Sequence, residues 1–198
     1  MTRLDDEQTK PEEASPLAGV VAEKALFNAR IITLTGEIND RVAKRVCDSL
    51  LALAAENDNP ITFVVSSPGG HVESGDMIHD MIKFVKPRVR MLGTGWCASA
   101  GALIYAAADR ADRYALPNTR FLLHEPRGGV GGAASDVAIQ AREILRMRER
   151  LNRIFATATG QPIERIKSDT DRDHWMSAEE AKTYGLVGSI IARMDELR

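Results

Sequence analysis

Cysteine is scarce. Two residues in 198, Cys47 and Cys97, cannot build a disulfide framework, and so few thiols fit a reducing compartment. Aromatic residues are thin at 5%. Charge of one sign is missing as well: 26 basic against 28 acidic side chains leave a net charge of −2. A protein that grips a phosphate backbone shows a basic stripe, so nucleic acid is not an expected partner. No run of apolar residues approaches the roughly 18 needed for a membrane span. The opening residues, MTRLDDEQTKPEEASPLAG, have no apolar stretch behind Arg3, so no secretory signal is visible and a cytoplasmic location is expected. No lysine follows a glycine, which removes the P-loop. His124-Glu125 opens like a zinc-protease motif, but Gly128 stands where the second histidine belongs. His71, His79 and His174 fall at no ligand spacing with the cysteines, so neither a metal nor a cofactor is expected.

What remains is an ordinary soluble composition, 44% hydrophobic and 27% charged. A chain of this size buries roughly 70% of its unfolded surface, enough for one core. Residues 1–19 hold five acidic side chains and two prolines, and too little apolar surface to offset the entropy of ordering. A disordered acidic tail is expected there, with a single domain over 20–198. Strands and helices then alternate. Ile31–Thr35 and Ile61–Val65 are β-branched and apolar runs. Asn39 or Asp40 caps a helix with Val42, Val46 and Leu50 at every fourth place. A third strand over 89–92 turns at Gly93-Thr94-Gly95 into a helix over 98–108. Short strands near 112–115 and 119–124 precede the glycine-rich 128–132 and the longest helix, about 135–159. Helices near 162–169 and 177–184 and a strand near 188–192 complete a largely parallel α/β sheet covered on both faces.

Two readings compete where the third strand meets its helix. Gly93-Thr94-Gly95-Trp96-Cys97-Ala98 satisfies G-x-G-x-x-A, a dinucleotide-binding pattern. Trp96 would crowd the pyrophosphate, and Asp112 falls at the start of a strand rather than its end. The other reading is nucleophilic. Ser99 sits at a strand-to-helix junction among small neighbours, where helix N–H groups favour a developing anion. A serine there can also be no more than a cap. The α/β-hydrolase elbow does not apply, because Cys97 occupies its glycine position. His124 ends one strand, Ser99 another, and Gly69-Gly70 a third; strand ends converging on one crevice build sites in open sheets. Asp169, Asp171 and Asp173 are all candidates to orient the imidazole, and each can equally be a solvated carboxylate at a helix end.

Six segments in order carry a resemblance over residues 26–192. They are Leu34-Thr35-Gly36-Glu37-Ile38, Ser66-Ser67-Pro68-Gly69-Gly70, Ala98-Ser99-Ala100-Gly101, His124-Glu125-Pro126, Ala141-Arg142-Glu143-Ile144-Leu145 and Arg172-Asp173-His174-Trp175-Met176-Ser177-Ala178. Together they resemble the ClpP family, the proteolytic subunit of the Clp protease. The resemblance implies a ClpP/crotonase-type α/β fold of repeated β-β-α and βαβ units with a protruding handle helix. It implies a serine endopeptidase with Ser99 as nucleophile, His124 as general base and Asp173 as the third member. It further implies an oxyanion hole from the N–H groups of Gly70 and Ala100, and a substrate-docking strand containing Gly128, Gly129 and Val130. Its partners would be peptides and unfolded proteins, further copies of the chain in two stacked heptameric rings, and an AAA+ unfoldase ring. Residues 1–25 lack the family's usual pore-hairpin pattern, which sets that last partner apart. Glu125 replaces the usual glutamine and would set a second carboxylate beside His124, and Trp96-Cys97 would narrow the pocket. The rivals are a catalytically silent ring component and a crotonase-superfamily enzyme acting on an acyl thioester.

Overall fold

The computed structural model describes residues 16–127 and 131–198. The first helix, α1 (Pro16–Asn28), begins four residues before the expected edge of the tail at residue 20. Strands β1 (Ile31–Thr35), β2 (Ile61–Ser67), β3 (Val89–Ala98), β4 (Arg113–Ala115) and β7 (Ser189–Ile190) lie side by side and parallel. Strand β5 (Arg120–Leu123) pairs parallel with the far end of β3, and β6 (His174–Ser177) pairs antiparallel with β5.

Burial alternates along β2, where Ile61, Phe63, Val65 and Ser67 are buried and Thr62, Val64 and Ser66 only partly so. The buried side packs under α2 (Asp40–Glu56), α3 (Val72–Phe84) and α4 (Ala100–Tyr105). Cover on both faces was the expectation. Instead the second face of β1 and β2 carries Thr33, Thr35 and Thr62, and stays half open within the chain, as the alternating pattern of these strands demands. Helix α2 starts where Asn39 accepts a hydrogen bond from the Val42 N–H at 3.0 Å. Helices α5 (Ala134–Thr159), α6 (Ile163–Thr170) and α7 (Ala178–Tyr184) complete the fold.

The largest departure from expectation is β3. Gly93-Thr94-Gly95 is not a turn; the strand runs through it to Ala98. Val65 pairs with Gly93 and Ser67 with Cys97, so three residues of β3 bulge opposite the single Ser66. Gly95, with φ +61, makes the bulge possible, and a Cβ there would approach the Ser66 hydroxyl to 2.9 Å. The bulge divides β3 between two partners: Met91–Gly93 pair with β4, and Trp96–Ala98 with β5. It also removes the dinucleotide reading, because no glycine-rich loop joins strand to helix at Gly93.

Candidate active site

The divided strand delivers Ser99 to the sheet edge. Ser99 has φ 56 and ψ −121, a backbone conformation that a residue with a Cβ rarely adopts. Its N–H donates to Leu122 O at 2.9 Å, tying it to β5, and its carbonyl accepts the first bond of α4 from Leu103 N. The side chain does not cap that helix. It turns instead to the histidine: Ser99 Oγ lies 2.8 Å from His124 Nε2.

His124 follows β5 directly. In the antiparallel β5–β6 register Leu123 pairs with His174, which sets residue 173 opposite residue 124. His124 Nδ1 accordingly lies 2.9 Å from Asp173 Oδ1. A carboxylate only accepts, so the proton between them belongs to Nδ1, and Nε2 is left to accept from the serine hydroxyl. Hydrogen bonding from His124, with help from the nearby Arg127 cation, holds the Asp173 carboxyl below its usual range against a smaller desolvation effect. The guanidinium of Arg120 sits 4.3 Å over the Trp175 ring and braces β6 on β5.

The other two aspartates go elsewhere. Asp169 accepts from the Tyr184 hydroxyl at 2.8 Å, and Asp171 accepts from Arg148 at 3.3 Å. Glu125 does not face His124; its carboxylate lies 3.1 Å from Arg148 Nε, while its N–H donates to Thr170 O. Arg127, which no sequence signal singled out, donates to the Asp173 oxygen that also accepts from His124.

The loop after β2 closes on the serine. A Cβ at Gly69 would meet Ser99 Cβ at 2.7 Å and Ala100 N at 3.2 Å. At Gly70 the obstacle is different: a Cβ would fall 2.2 Å from Ile38 O. Glycine is required there by the bridge to Ile38, not only by an approaching substrate. Among the described residues, no backbone acceptor takes the N–H of Gly70 or Ala100. Beside Ser99 a narrow apolar recess is walled by Val72, Leu103, Pro126, Leu151 and Phe155. Trp96 and Cys97 do not narrow it: Trp96 is exposed on the sheet, and Cys97 is buried with its thiol toward Val65 O, where burial pushes its pKa far up. Gly128, Gly129 and Val130 lie outside the described residues.

A serine on a strained strand-to-helix junction, facing a histidine that a carboxylate steadies, is the working arrangement of an α/β serine hydrolase. Comparisons narrow the class. A family model described as Clp protease matches residues 18–194. The chain is 58% identical over 195 residues to the ATP-dependent Clp protease proteolytic subunit 3 of Rhizobium meliloti, covering 98% of this chain and 100% of that one. It is 51% identical to the proteolytic subunit 2 of Pseudomonas aeruginosa, with 98% and 97% of the two chains covered. A solved structure of a mutant ClpP1 from Listeria monocytogenes superposes with a TM-score of 0.84 at 50% identity, covering 89% of this chain and 99% of that one. The chain belongs to the Clp protease family, and it is a serine peptidase subunit with the ClpP fold.

Proposed function

We propose that Ser99, His124 and Asp173 are the residues with which this peptidase cleaves its substrates. The observation that carries this is the continuous pair of contacts, 2.8 Å from Ser99 to His124 and 2.9 Å from His124 to Asp173. Neutral His124 takes the hydroxyl proton on Nε2 as Ser99 Oγ attacks the scissile carbonyl carbon. Asp173 holds the ring and offsets the charge it gains. His124 then returns the proton to the leaving amine, and water repeats the cycle on the acyl-enzyme. The carbonyl oxygen, negative in the tetrahedral intermediate, is received by the N–H groups of Gly70 and Ala100. The apolar recess, only about 10 Å³ as it stands, widens to take the side chain before the scissile bond, and Gly128, Gly129 and Val130 dock the peptide as an added strand. A thioester enzyme relying on the two amides alone has no use for the Ser99–His124 contact.

The exposed first half of α5 packs in this reading against the same helix of an opposing ring, giving two stacked heptameric rings of roughly 300 kDa. Enclosure limits entry to peptides and unfolded proteins in the cytoplasm, with an AAA+ unfoldase ring delivering folded ones. Ser99→Ala is expected to lower peptide hydrolysis at least about 10³-fold while assembly persists. Hydrolysis within tenfold of the parent would reject the assignment.

A further inference from the structure

Between the C-terminal ends of α3, α4 and α5 lies a second cleft, of about 350 Å³, lined by His79, Lys83, Asp109, Arg110, Arg113 and Arg153. It shares no lining residue with the recess beside Ser99. Four of the six are permanent cations. Arg153 is paired with Glu149 at 3.0 Å. The other three bond only backbone carbonyls among the described residues: Lys83 to Ala107 at 3.2 Å, Arg110 to Lys182 at 3.3 Å, and Arg113 to Ala158. A carbonyl satisfies an N–H but does not neutralise its charge.

Arg113 is the unusual member. It is only 2% exposed, and among the described residues its Nε and Nη1 have no hydrogen-bond partner. A buried cation with idle donors is costly unless an anion completes it. Asp109, the one carboxylate lining the cleft, forms no ion pair with it. Setting Asp109 against Lys83, Arg110 and Arg113 leaves two net positive charges in the cleft.

We propose that this cleft binds a small phosphate-class oxyanion, with Arg113 at its base and Lys83 and Arg110 as exposed clamps. Phosphate carries about 1.5 negative charges at neutral pH and presents several acceptor oxygens. Planar guanidinium forks match such an oxyanion with parallel charge-assisted hydrogen bonds, and an ammonium adds a point charge. A bound anion would also brace α5, because Arg153, Ile154 and Ala158 line this cleft while Leu151 and Phe155, one helical turn apart, wall the recess beside Ser99.

The test is calorimetric titration of the full chain with inorganic phosphate in a chloride buffer of constant ionic strength near pH 7.5. Saturable binding at one site per chain is expected, accompanied by a rise in Tm. Lys83→Ala and Arg110→Ala should each weaken binding at least about tenfold, since each removes a charged hydrogen bond. Lys167→Ala, which removes a cation paired with Glu164 on α6, should not. Arg113→Lys should weaken binding too; if it does not fold, the two exposed variants carry the test. Absence of saturable binding, as when a neighbouring copy's carboxylate fills the cleft, would overturn the proposal. So would unchanged affinity in Lys83→Ala and Arg110→Ala.

Discussion

Helix α5 is one helix with two fates. Its apolar residues from Ile139 through Phe155 form a wide band, with Leu151 and Phe155 near its centre line and Ile139 and Leu145 on opposite flanks. In the second half the band is used within the chain: Leu151 is 7% exposed and Phe155 3%, and both wall the recess beside Ser99. In the first half Ile144, in line with Leu151, is partly buried, while the flanking Ile139 is 52% exposed and Leu145 59%. The difference teaches that periodicity specifies a face but not what covers it. The joint between the halves is itself informative. Arg148 reaches from α5 to Glu125 beside His124 and to Asp171 two residues before Asp173. The half that projects is therefore anchored to the segments that hold the site.

Three substitutions sharpen the contrast. Phe155→Ala should have the largest effect on stability, about 3–5 kcal/mol, because it empties a buried site; urea unfolding measures it. Leu145→Asp should change the stability of the isolated chain by no more than about 0.5 kcal/mol. It should nevertheless shift the light-scattering mass from a multimer toward the single chain, since that apolar patch is left exposed. If the two substitutions were equally destabilising and mass were unchanged, the two halves would not differ as described. Arg148→Ala is intermediate in kind. It releases Glu125 and Asp171 together and should lower kcat several-fold while leaving the particle mass intact.

The smallest effect is one of pH. The Asp173 carboxyl is held below its ordinary value of about 3.9, first by the His124 hydrogen bond and secondarily by Arg127. A group depressed on folding contributes stability that is present above its unfolded value and lost as pH falls through its folded value. Asp173 thus stays ionised through the neutral range, and its protonation should be seen only below about pH 4. Arg127→Ala should move that titration upward, a shift measurable by carboxyl-carbon NMR. An unmoved titration would mean that the Arg127 contact does not persist in solution.

Much of the fold was legible because the strands are short, apolar and bounded by turn residues. What was not legible depended on partners far along the chain. Gly93-Thr94-Gly95 has the composition of a turn, and only pairing with β2 on one side and β4 and β5 on the other makes it a bulge. His174–Ser177 is four residues wedged between α6 and the capping box of α7, where Ser177 and Glu180 bond reciprocally; too short to show alternation, it was not expected as a strand. The same pairing governs the aspartates. Three carboxylates within five residues are chemically equivalent in sequence, and the resemblance pointed to Asp173. It is the β5–β6 register that sets Asp173 opposite His124, while Asp169 and Asp171 turn to Tyr184 and Arg148. Arg127 and Arg148 left no local signal, because their significance lies in carboxylates more than 20 residues away.

Catalysis through these three residues requires Ser99 to be an activated nucleophile. A fluorophosphonate probe reports this directly, because it phosphonylates a serine whose proton a neighbouring base removes. Intact-mass analysis with peptide mapping should find one adduct per chain, on Ser99. Labelling should vanish in Ser99→Ala and be strongly slowed in His124→Ala. Full labelling of Ser99→Ala, or of His124→Ala at the parent's rate, would contradict the account.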